Sequence, residues 1–124
     1  MMYSKEYMRH FQNPQNIGDL EDADAVEEVR YTGEGCFDRI RIFGKKEDGR
    51  IAKVTYRVRG CSGTIAACSA MSEMAVGMVI DGAASIQGND VAKALGGVPD
   101  RKQHSVDLAA EALRTVASAL QEKA

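Results

Sequence analysis

The sequence predicts an α+β fold, a small three-stranded antiparallel sheet with helices packed on one face. Three observations carry this reading. Between residues 39 and 59 apolar and polar residues alternate with a period of two, the mark of half-buried antiparallel strands. After Gly60 that alternation stops and helical spacing takes over. Strand signals grouped ahead of helix signals argue for segregated layers. With 124 residues, 44% hydrophobic and 27% charged, the chain reads as one domain over residues 1–124. That length suffices to bury a core without disulfide staples.

The elements follow in order. Ser4 is a candidate N-cap for a first helix to Gln12, with Tyr7, Met8 and Phe11 at helical spacing, stopped by Asn13-Pro14. Residues 16–24 read as loop. Three strands are expected at Val26–Thr32, Arg39–Gly44 and Ile51–Arg59, the last two joined by a tight turn at Asp48-Gly49. Residues 62–77, rich in Ala, Met and Ser, read as a buried helix. Asn89 is expected to cap a short helix ending at Leu95, before Gly96-Gly97. A final helix is expected over Ser105–Glu122, with Leu108, Ala112, Val116 and Ala119 as its apolar stripe, widened by Leu113 and Leu120.

A formal net charge of −2 gives no basic excess for nucleic acid. No apolar run approaches the roughly 20 residues that span a bilayer, and the N-terminal residues contain no apolar signal core. A cytoplasmic location is therefore expected, away from membranes.

Three cysteines, Cys36, Cys61 and Cys68, are an odd number in a chain without an export signal, which argues against a disulfide framework. Cys36 and Asp38 are two residues apart, so in extended chain they face the same way. Spacing alone favours a loop cysteine beside a surface carboxylate. Cys61 stands at a strand-to-helix junction, where the helix dipole and free N–H groups favour a thiolate. A small helix-start residue would sit there too. His104, just before the last helix, is a possible imidazole ligand or an exposed turn histidine. His10 reads as structural. Cys68 lies about 10 Å along the helix from Cys61, too far to share an ion with it, and reads as a buried, inert thiol. Two Cys, one His and one Asp form a mixed donor set that suits zinc or iron.

The order of these residues resembles a known family. The segments YSKEYMRHFQNPQNIGDLEDAD, GCFD at 35–38, VRGCSGTIAACSAMSEMAVG and ALGGVPDRKQHSVDLAAEALRTVA are similar, in order and over nearly the whole length, to the iron–sulfur cluster assembly scaffolds known as IscU and the NifU N-terminal domain. The resemblance implies that Cys36, Asp38, Cys61 and His104 face a metal or cluster. It implies a scaffold, not an enzyme, which accepts sulfur from a cysteine desulfurase, gathers iron and holds a labile [2Fe–2S] cluster. The cluster then passes to apo iron–sulfur acceptor proteins. Zinc is expected in the same residues of the isolated protein.

The chain departs from the family pattern at several positions. Ser105 stands where the third cysteine should follow the histidine, and Phe37 replaces a glycine. The family's chaperone-binding loop appears as Val98-Pro99-Asp100-Arg101-Lys102, lacking one proline and an apolar anchor, so the dedicated Hsp70 is not an expected partner. The alternative implied by these departures is a non-assembling adaptor or regulator of a desulfurase, with structural zinc. A pure sulfur acceptor ranks last, because relatives of that kind lack the histidine.

Overall fold

In the computed structural model, which describes residues 3–33 and 37–123, the chain between Asp38 and Arg59 is a long hairpin. Asp48 and Gly49 both adopt left-handed backbone, with φ of 53° and 74°, which makes the two-residue reversal that matches strand twist. The hairpin strands are β2 (Asp38–Glu47) and β3 (Arg50–Arg59). The preceding β1 (Ala25–Tyr31) pairs antiparallel with β2, giving the order β1-β2-β3. Ile40, Ile42, Val54 and Tyr56 point to one face and are fully buried. Their neighbours Arg39, Arg41, Arg57 and Arg59 point to the other face and are exposed.

All helices lie on the apolar side. Helices α1 (Lys5–Gln12), α2 (Ser62–Ala75), α3 (Ile80–Ala83), α4 (Gly88–Ala94) and α5 (Gln103–Glu122) follow in chain order, with a short 3₁₀ turn at Asp100–Lys102 just before α5. Helix α5 crosses β1 and β2 while α2 lies against β3. Gly44 lets α5 come close: a Cβ there would lie 3.1 Å from Val116 Cγ2 and 3.2 Å from Leu120 Cδ1. Helix α2 buries small residues, Ala66, Ala67, Cys68 and Ala70 among them, so other helices approach it from several sides. Buried His10 ties α1 to α2 through Nδ1 and Ser69 Oγ, 2.7 Å apart.

Every expected element is present, with β2 longer than expected and α2 ending two residues sooner. Helix α3 was not anticipated. Helix α4 is capped by Gln87 rather than Asn89: the Gln87 N–H donates to Asp90 Oδ2 at 2.9 Å, a reciprocal cap. Ser4 does cap α1, accepting from the Tyr7 N–H at 2.9 Å. Among the described residues, no helix is long and apolar enough to cross a membrane.

Candidate metal centre

Three elements end at one place. Strand β2 starts at Asp38, whose carboxyl turns inward and is buried. Helix α2 starts after Cys61, its N-cap. Helix α5 carries His104 and Ser105 in its first turn. One ligand atom from each of Asp38, Cys61 and His104 falls within 4.8 Å of the others. Cys36, the fourth residue expected here, lies outside the described residues.

The approach depends on two missing side chains. A Cβ on Gly60 would sit 2.8 Å from Asp38 Oδ1 and 2.9 Å from its Cγ. A Cβ on Gly63 would sit 2.8 Å from Lys102 Cδ and 2.9 Å from Ser105 Oγ. The glycines on either side of Cys61 therefore let β2 and α5 close onto the start of α2.

Thr64, fully buried, links the three elements. Its hydroxyl donates to Asp38 Oδ2 at 2.7 Å and lies 3.0 Å from Ser105 Oγ. A hydroxyl has one proton, so with Thr64 committed to Asp38, Ser105 holds the remaining hydroxyl proton. Three polar atoms surround it: Thr64 Oγ1, Cys61 Sγ at 3.5 Å and His104 Nε2 at 3.4 Å. With Cys61 as the thiolate and the His104 ring proton on Nδ1, more lone pairs than protons converge here, a setting that suits a cation.

Burial pushes the Cys61 thiol up, but hydrogen bonds from the Ser105 hydroxyl and the Thr64 backbone N–H and the positive charge of Lys102 more than offset it, bringing Cys61 down to about 6. Burial alone would pull the Lys102 ammonium down; the Cys61 thiolate beside it leaves it above its usual value. Cys68 behaves in the opposite way. It is fully buried, and burial, with the Asp38 charge added, raises its thiol far above the ordinary range.

Cys, His and Asp together also suggest a nucleophile with its base and orienting carboxylate. The geometry differs from such a relay, because Cys61 Sγ at 4.0 Å and Asp38 Oδ2 at 3.3 Å both face His104 Nε2. A relay needs them on opposite ring nitrogens. Convergence on one nitrogen instead fits a shared ion. Tetrahedral ligands at about 2.0–2.3 Å from a metal lie roughly 3.3–3.8 Å apart, close to both distances. The His104 ring is held by Tyr31, stacked on it with centroids 4.8 Å apart and planes at 21°.

Asp38, Cys61 and His104, expected at this site from the sequence, do come together. The sequence alone does not single out Thr64, Tyr31, Lys102 or the two glycines, and it marks Ser105 only as a missing thiol. The Gly-Cys-Ser-Gly pattern at 60–63 was the available signal, since paired glycines around a thiol mark close backbone approach.

The sequence matches the family model described as the NifU-like N terminal domain over residues 2–124. It is similar to the iron–sulfur cluster assembly scaffold proteins IscU 1 and IscU 2 of Archaeoglobus fulgidus. Each is 44% identical over 113 residues, 91% of this chain and 72% of the relative. The fold resembles the crystal structure of a nitrogen-fixing NifU-like N-terminal protein from Brucella abortus, with a TM-score of 0.79 over 98% of this chain and 95% of that one. At 21% identity that likeness concerns the fold alone.

Proposed function

This chain belongs to the family of NifU-like N-terminal domains, and from that membership we propose that it is a scaffold for assembling iron–sulfur clusters, not an enzyme that turns over a substrate. The observation that carries the proposal is the convergence of Asp38, Cys61 and His104 within 4.8 Å at the end of the sheet. Cys36, two residues before Asp38, is the fourth donor in this reading. The cargo is iron and then a labile [2Fe–2S] cluster. A carboxylate and an imidazole among the donors hold it less firmly than four thiolates would. A cluster destined for transfer requires that weaker hold.

Cys61 has a second role in this reading. As a thiolate it attacks the outer sulfur of a cysteine persulfide carried by a desulfurase. A new S–S bond forms on Cys61, the desulfurase S–S bond breaks, and its electron pair leaves with the desulfurase thiolate. Thr64 holds Asp38 in place and Ser105 supplies a hydrogen bond to the thiolate before transfer. The implied partners are a cysteine desulfurase and apo iron–sulfur acceptors, in the cytosol.

Anaerobic incubation with ferrous iron, cysteine and a desulfurase tests this. The expected product has a [2Fe–2S] visible spectrum and acid-labile sulfide, both lost in Cys61→Ser. If no cluster forms and Ser105→Cys restores it, the second reading holds: a non-assembling regulator of a desulfurase, with zinc in the same residues. Ser105 favours that reading, because a hydroxyl carries no persulfide and is a poor metal ligand at neutral pH.

A further inference from the structure

The outer face of the sheet bears a block of arginines that neither folding nor the metal centre explains. Cross-strand register sets Arg30, Arg39 and Arg59 abreast on β1, β2 and β3, and the next outward-facing row is Glu28, Arg41 and Arg57. Like charges directly opposite one another destabilise a sheet, so this arrangement works against folding. Glu28 takes Arg30 at 2.7 Å and Asp19 takes Arg57 at 2.9 Å. Among the described residues, no carboxylate lies within ion-pair distance of Arg39, Arg41 or Arg59. Arg39, Arg41, Arg57 and Arg59, with Glu28 and Val58 beside them, line a hollow of about 390 Å³. All this stands on a chain whose formal net charge is −2.

The block also abuts the metal centre. The row Arg30–Arg39–Arg59 lies one residue from Tyr31, Asp38 and Gly60, which belong to or border the centre. Phe37, 73% exposed, shares a second hollow with Arg30, Arg39 and Arg59. An exposed aromatic ring flanked by arginines has the composition of a protein-docking anchor.

We propose that the outer sheet face is a docking surface for an acidic helix of a partner protein, which it seats against the rim of the metal centre. Neighbouring strands lie about 4.8 Å apart, so the three arginines of one row are rooted in the sheet at that interval. Side chains at i and i+4 on a helix are rooted about 5–6 Å apart at Cβ, close to the strand interval, so an acidic helix laid across the strands can present one carboxylate to each arginine of the row. Nucleic acid fits less well. The arginine row is only three strands wide, Glu28 and Asp19 lie beside it, and the chain as a whole is acidic. That the partner delivers or receives cargo rests on the proposed function; the surface itself does not.

The test uses the whole chain and a short helical peptide with glutamates at i and i+4. A glutamine counterpart, a single-stranded RNA of equal charge and phosphatidylserine vesicles are run beside it. The glutamate peptide is expected to bind, more weakly as salt rises. Arg39→Gln with Arg59→Gln should weaken binding by about tenfold or more. The same charge change at exposed Lys5 and Lys93 should leave it unchanged, and zinc affinity should be the same in all variants. Circular dichroism confirms that each variant is folded, and Arg41→Gln supplies an independent loss at the second row.

Equal binding of the glutamine peptide, equal loss in the lysine control, or tighter binding of RNA or vesicles through the same arginines would overturn the proposal. A chain that binds the glutamate peptide but takes up neither zinc nor iron sinks the proposed function and leaves the docking surface standing. A chain that takes up metal but ignores the peptide does the reverse.

Discussion

Cys61 owes its reactivity to its neighbours more than to its own burial. The thiol titrates at about 6, against an ordinary 9.0, so it is mostly thiolate at neutral pH. In metal-free protein the rate of Cys61 alkylation by iodoacetamide, read by peptide mass mapping, should rise with a midpoint near 6. Ser105→Ala removes the hydroxyl donor and should move that midpoint upward; a wild-type midpoint near 9 would contradict the assignment. The sign of the linkage follows. Folding lowers this pKa, so the stabilisation is fully present above about 9 and is lost as pH falls through about 6. Buried Cys68 should resist alkylation until the chain unfolds. At this scale the sequence was only partly legible. Taken singly, Cys61 and His104 admit ordinary readings. Thr64 gave no signal at all, since its task is defined by Asp38 and Ser105, far away in the chain.

The start of α2 is where element packing determines the site. Gly60 and Gly63 leave no room for a methyl group, whereas a Cβ on Gly82 in α3 meets nothing within 4 Å. Gly60→Ala should therefore cost about 1–3 kcal/mol through overpacking and weaken zinc binding by displacing Asp38. Gly82→Ala should be neutral or slightly stabilising. Urea unfolding of both variants checks the contrast, and equal midpoints would count against the close-approach argument. The strands were legible because alternation in β2 and β3 survives in any context. Helix α3 was not, because four residues containing a glycine have little local preference for helix; it forms where Ile80 and Ala83 find the core. The Gln87 cap was missed because glutamine is an unusual N-cap.

The whole molecule is one layer of helices on one face of one sheet, and that much followed from strand signals preceding helix signals. The position of the candidate metal centre did not. It arises because β2, α2 and α5 reach the same end of the sheet, and no periodicity states which ends coincide. The three donors come from those three elements, so a bound ion is a cross-link that the unfolded chain lacks. Zinc at a hundredfold excess over its dissociation constant should stabilise the fold by about 2.7 kcal/mol. The rise in melting temperature should disappear with chelator and shrink in His104→Ala. An unchanged melting temperature would show that these residues hold no ion.

The stacking of Tyr31 on His104 also has an optical consequence. The chain has four tyrosines and no tryptophan, so its ultraviolet emission is tyrosine emission alone. One emitter lies flat against a candidate ligand, within easy range of energy transfer to a coloured, iron-containing occupant. The protein thus carries a native fluorophore at the site it would fill, and the dimming of that fluorophore tracks occupancy without an added label.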